Sequence, residues 1–206
     1  MIKTRLRQAL LALTMLVMTF GAGTWYGHSL PKSGVDPQDY IETVFTPYQS
    51  GLAAYLNFLD GTKHSLRIAS YSLTEGSITD KLIELKGRGV KDIIVLVDKS
   101  QTLSGGRNKT GLKYQQEQVQ RLRDAGIEVV IGTSEQRGQI MHLKATVRDG
   151  EWVEDGSWNY SGSADFQNNN LNIIRSPKRA KLFLENWQRL YSFMKTQDQT
   201  PWDKTD

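Results

Sequence analysis

Cysteine is absent from this 206-residue chain. Disulfides, a thiol nucleophile and cysteine-ligated zinc are therefore excluded. Histidine is scarce, with His28, His64 and His142 the full set. With no carboxylate cluster to join them, the usual transition-metal ligand sets are missing, and neither a metal nor another cofactor is expected. Gly105-Gly106 lacks the Gly-Lys-Ser/Thr ending of a Walker loop. Repeats and low-complexity tracts are missing too. An excess of either charge is also lacking. Lys3, Arg5 and Arg7 supply three of the four net positive charges, and residues 31–206 hold 23 basic against 22 acidic groups. Bulk charge gives no argument for a polyanionic partner, so any attraction has to come from local patches.

What is present starts with a positive segment followed by the apolar run Ala9–Phe20 and the small residues Gly21-Ala22-Gly23. This is the layout of a secretory signal peptide. Extended through Thr24 to Tyr26, the run just spans a bilayer as an uncleaved anchor, with Trp25 and Tyr26 at the interface. Either way the body is exported: periplasmic or secreted if the segment is cleaved, tethered to the inner membrane by residues 9–26 if it is not. Residues 1–27 are thus read as signal peptide or anchor, 28–41 as linker, 42–196 as one domain and 197–206 as a tail.

The body alternates strand and helix signals. Glu42–Phe45 reads as a short strand ended by Thr46-Pro47, and Gln49–Leu59 as a helix. Leu66–Leu73 follows as a strand and Ser77–Arg88 as an amphipathic helix closed by Gly89. Ile93–Val97 is unbroken and apolar, as in a parallel strand buried on both faces. Gly111–Ala125 is the next helix, Glu128–Ile131 the next strand, and Arg179–Thr196 a closing helix with Trp187 and Met194 in its apolar stripe. The order predicts an α/β fold with a mixed, largely parallel sheet and helices on both faces.

Met141–Ile174 carries the chemistry. His142 and Lys144 are two apart, so on a strand they share a face, and so do Ser157 and Asn159. Asp149-Gly150 between two β-prone runs predicts a tight hairpin, because a type I′ turn needs positive φ at both central residues. Asp149 is thus either a turn residue or one of the catalytic set. An imidazole, an ammonium, a hydroxyl and a carboxamide together can hold a phosphate and attack it. Lys99–Arg123 holds six basic residues and one acid. Its Gly-rich start leaves the C-terminal end of the Ile93–Val97 strand, the edge where open α/β sheets bind ligands. Arg107, Lys109 and Lys113 are there as candidate contacts to substrate phosphates, or as a solvated loop.

The spacing His-x-Lys-x-x-x-x-Asp followed by Gly-Ser-x-Asn resembles the phospholipase D superfamily. Phe45-Thr46-Pro47, Ile68–Leu73, Ile93–Lys99 and Ala125–Val129 match that family's body in the same order. The single motif resembles its small endonuclease branch. The resemblance implies that His142 attacks phosphorus to form a phosphohistidine, while a second copy's histidine protonates the leaving oxygen. Lys144, Asn159 and Ser157 would hold the phosphoryl oxygens, and Asp149 completes the motif. A family Glu that orients the histidine is replaced here by Asn169, with Asp165 as the alternative. The expected protein is a metal-independent phosphodiesterase on DNA or RNA, working as a homodimer with a shared site. A phospholipid substrate, with the N-terminal segment as membrane anchor, and a catalytically weak nucleic-acid-binding protein are the competing readings.

Overall fold

In a computed structural model, the described residues are 39–104, 109–197 and 199. The signal or anchor segment, the linker up to Gln38 and Arg107 lie outside them. Among the described residues no helix is long and apolar enough to cross a membrane.

Seven strands form one sheet: β1 Tyr40–Thr46, β2 Ser65–Ser70, β3 Asp92–Asp98, β4 Glu128–Gly132, β5 Lys144–Arg148, β6 Trp152–Gly156 and β7 Asn169–Arg175. Their spatial order is β1-β7-β6-β5-β2-β3-β4. Only the β2–β3 and β3–β4 pairs are parallel, while β1–β7, β7–β6, β6–β5 and β5–β2 are antiparallel. The sheet is mixed, as expected, but not largely parallel. The β-α-β-α-β half read from the sequence is parallel. The second half is built of hairpin-like neighbours, and β7, NNLNIIR, carries too many amides to read as a strand.

Helices cover both faces. α1 Gly51–Asp60, α2 Gly76–Gly87 and α3 Lys109–Asp124 pack one side through Tyr55, Leu82 and Leu122, among others. α4 Pro177–Lys195 packs the other through Trp187, Leu190 and Met194 against Ala69, Leu96 and Val130. β3 explains its composition: Val95 and Val97 face the first layer, Leu96 the second. Ser50 caps α1, its hydroxyl accepting from the Ala53 N–H at 3.1 Å. On the α1 face the strands carry a buried polar string. Thr146 meets the hydroxyls of Tyr55 and Tyr160 at 2.7 and 2.8 Å, and Tyr160 donates to Glu154. Full burial holds the Glu154 carboxyl well above the usual carboxylate range.

The β5–β6 connection contains the two positive φ angles expected, 55° at Asp149 and 70° at Gly150. Because Arg148 pairs with Trp152, Glu151 is also in the loop, which is three residues long rather than two.

Candidate active site

One sheet edge gathers the C-terminal ends of β1, β2, β3 and β6 with the N-terminal ends of β5 and β7. β5 begins at Lys144, so His142 sits just outside the strand. Its neighbour Leu143 accepts a 2.8 Å hydrogen bond from the Tyr71 N–H, which ties the segment to the end of β2. Lys144 is buried, at 6% exposure, and its ammonium donates to the His142 carbonyl at 2.9 Å. Tyr71 sits between the two. Its ring lies edge-on to the imidazole at 4.5 Å, with the Lys144 Nζ 4.9 Å from its centre. The His142 side chain is exposed, and its ring nitrogens make no hydrogen bond to any described residue.

Asp98, at the end of β3, is fully buried beneath this pair. Its carboxylate accepts from the Met141 N–H at 2.7 Å and the Ser100 N–H at 2.9 Å. It thereby fixes both the segment that presents His142 and the π-helical turn Ser100–Ser104. Gln101 in that turn donates to the Tyr71 hydroxyl at 2.8 Å. Burial pulls the Lys144 ammonium down to a pKa of about 8, with Asp98 opposing. Burial and then the Lys144 charge pull the imidazole below its ordinary value, again against Asp98. A neutral imidazole with a free ring nitrogen is a nucleophile, and a desolvated ammonium beside it stabilises developing negative charge.

Gly156 ends β6 at the same edge, where a Cβ would stand 2.2 Å from the Asn170 carbonyl oxygen. That close approach is why the motif needs glycine there. The exposed Ser157 then donates to the Asn169 amide oxygen at 3.0 Å and accepts from the Asn170 N–H at 3.1 Å. Asn159 lies two residues on, its Oδ1 buried and without a partner.

Three expected residues do other work. Asp149 lies at the far end of β5, about 17 Å from Lys144 at the strand's rise. Its two oxygens accept from the N–H groups of Lys63, His64 and Ser65 at 2.8–2.9 Å. It pins the hairpin to the α1–β2 connection and is not part of the catalytic group. Asp165 accepts from Trp158 Nε1 at 2.8 Å and from Ser50 and Leu52, so it anchors α1 rather than orienting His142. Asn169 spends its amide on Ser157 and on the Ala164 carbonyl at 3.1 Å, and does not touch the imidazole. Lys109 and Lys113 are exposed on the first turns of α3, beyond the Ser100–Ser104 turn. Tyr71 and Asp98 were not singled out from the sequence. Asp98 had a visible signal, a carboxylate closing a run of buried apolar residues at a strand's ligand-binding end. Tyr71 had none.

Among the described residues no three His, Asp or Glu side chains gather as a metal-ligand set. An imidazole and a buried ammonium at the edge of an α/β sheet are groups suited to an anionic ester. Residues 55–191 match the family described as cardiolipin synthase, PLD-like domain. A phospholipase D of Rickettsia conorii is 30% identical over 148 residues, 71% of this chain and 67% of that protein. The crystal structure of Nuc from Salmonella typhimurium, a phospholipase D family member, superposes with a TM-score of 0.63 at 26% identity, over 75% of this chain and 95% of that one. NucT from Helicobacter pylori shares the fold, with a TM-score of 0.64 at 18% identity, over 75% and 97% of the two chains. The chain belongs to the phospholipase D superfamily and is a phosphodiester hydrolase of that class.

Proposed function

We propose that the chain is an exported endonuclease that cleaves DNA or RNA through a covalent phosphohistidine, without a metal, in a homodimer that shares one active site. The observation that carries this reading is the exposed imidazole of His142 beside the buried ammonium of Lys144, which donates to the His142 backbone carbonyl. In the first step a ring nitrogen of His142 attacks phosphorus and the bond to the leaving oxygen breaks. A second imidazole donates its proton to that oxygen. Water then displaces His142 from phosphorus, and the second imidazole takes the water's proton. Lys144 neutralises the phosphoryl oxygens throughout. Asn159 and Ser157 complete the cradle.

The second imidazole argues for the dimer. His64 is at the opposite sheet edge, its backbone held by Asp149. His28 lies in the linker and leaves with the signal peptide if cleavage falls after it. A two-fold axis beside His142 supplies the missing group from an identical one. Phe45, Tyr48 and Phe166, 56%, 87% and 83% exposed at the catalytic edge, offer apolar surface for the facing copy. The exposed Lys109 and Lys113 favour a polyanion over a single lipid headgroup. A phospholipid substrate is the second reading, and the same exposed aromatics would then meet acyl chains. Of the other aromatics near the motif, Trp158 and Tyr160 are buried core and Trp152 lies at the opposite edge.

The test is to mix His142→Ala with wild-type chain and assay plasmid, single-stranded DNA, RNA and phospholipid vesicles. Nuclease activity should fall faster than the fraction of wild-type chain, because heterodimers are nearly inactive. Activity proportional to wild-type chain refutes the shared site, and turnover of vesicles alone refutes the nuclease.

A further inference from the structure

At the sheet edge opposite His142, the ends of β5 and β7 and the segment between α1 and β2 surround a cavity of about 460 Å³. Arg148 forms part of its wall and is 9% exposed. Its guanidinium lies between two rings, 4.8 Å from Phe58 and 4.5 Å from Trp152. Nη1 donates to the Phe58 carbonyl. Nε is buried with no partner, and Nη2 makes no hydrogen bond to a described residue. Among the described residues no carboxylate is paired with this buried cation. Asp149 beside it spends both oxygens on backbone N–H groups, and Glu151 pairs with Arg175 at 3.4 Å. Burial accordingly holds the guanidinium below its ordinary pKa, against the pull of those two acids. A buried charge with an unused donor edge is costly unless something comes to meet it.

Nη2 is the donor left for an anion in the cavity, since Nε is closed off from solvent. Lys63, whose ammonium has no partner among the described residues, and Arg175 stand at the same cavity. A carboxylate has only two oxygens to share among Arg148, Lys63 and Arg175. A phosphate keeps further oxygens for the two other cations. Tyr40 pairs with Arg175 and lies 5.8 Å from the Trp152 ring.

We propose that this cavity binds a phosphate group, with Arg148 Nη2 donating to it and Lys63 and Arg175 neutralising its other oxygens. The ligand is either free phosphate or the headgroup of an anionic phospholipid. Its place, about 13 Å along β5 from Lys144, makes it independent of the catalytic reading.

The test uses the full chain in a maltoside detergent, in a Lys144→Ala background that disables the catalytic edge. The ¹H–¹⁵N signal of the sheltered Arg148 Nε–H, identified by its loss in Arg148→Lys, is followed as inorganic phosphate is added against chloride of equal ionic strength. A saturable shift is expected, weakened about tenfold or more by Lys63→Ala with Arg175→Ala. Both of those side chains are exposed, so the double variant should fold. The same shift in phosphatidylglycerol nanodiscs assigns the headgroup as ligand, and a shift with inorganic phosphate alone assigns a soluble one. No shift in either, or equal affinity in the double variant, overturns the proposal.

Discussion

Lys144 should be a residue that the fold would be more stable without. Its side chain is buried, and burial lowers its pKa from 10.5 to about 8. At ~1.4 kcal/mol per pH unit, holding the ammonium charged at neutral pH costs the folded state roughly 3 kcal/mol. Replacing it with methionine removes that cost. It also removes the 2.9 Å bond to the His142 carbonyl and the contact with the Tyr71 ring, each worth about 1 kcal/mol. Water beside the exposed imidazole trims the electrostatic figure further. Lys144→Met should therefore stabilise the protein by ~1 kcal/mol at neutral pH, a rise in Tm of about 2–4 °C for a chain of this size. The sign with pH is fixed. The folded pKa lies below the unfolded one, so between about 8 and 10.5 the unfolded chain binds more protons. Wild-type stability therefore gains on the variant as pH rises through that window. Urea unfolding of both proteins at one concentration, from neutral pH to above 10, reads this directly, while phosphodiesterase activity should fall about a hundredfold or more. A variant less stable than wild type at neutral pH, or a stability gap that ignores pH, would show the charge to be well solvated and the reasoning wrong.

Asp149→Ala should cost about 2–4 kcal/mol, since it strips three backbone hydrogen bonds and puts alanine at φ 55°, yet leave the activity of folded molecules near wild type. Asp149→Asn, which tolerates that φ, should cost less, and paired urea curves with active-site titration separate the two effects. Excess EDTA should leave the rate unchanged; loss restored by Mg²⁺ or Zn²⁺ would overturn the histidine–lysine mechanism. Lys109→Ala with Lys113→Ala should weaken nucleic-acid binding for all sequences and flatten the salt slope by about two, and an unchanged slope would return both lysines to the solvated surface.

The parallel half of the sheet was legible because each element carries its own signal. Val95, Leu96 and Val97 are buried on both faces, and the Trp187–Met194 stripe repeats at helical spacing. The antiparallel half was less so. β7 is stabilised by what it meets rather than by its own residues: Asn172 pairs with Thr43 and Asp155, and Asn169 with Ser157 and Ala164. An amide that reads as turn or loop in isolation becomes a strand residue once partners 129 and 17 residues away are fixed. His142, Lys144, Ser157 and Asn159 all lie at one edge, although only Lys144 is itself in a strand, so the two-residue step of a strand is not what gathers them.

Of the two readings of Asp149, turn residue and member of the catalytic set, the structure bears out the turn, and the reason is geometric. A five-residue strand separates Lys144 from the hairpin, so an acid five positions after Lys144 reaches the other edge of the sheet. The carboxylate that the site uses comes instead from Asp98, 44 residues before His142 in the chain. It bonds the Met141 N–H and so sets the backbone that aims the imidazole, while opposing the fall in both the His142 and Lys144 pKa values. Tyr71 enters the same way, from the end of β2, as a wall between the imidazole and the ammonium. A motif records side chains that share one segment. The groups that position and tune them come from neighbouring strands, and neighbouring strands are decided by topology. Here β5 lies beside β2, and β2 beside β3, so the ends of those two strands are the natural supports for whatever β5 presents.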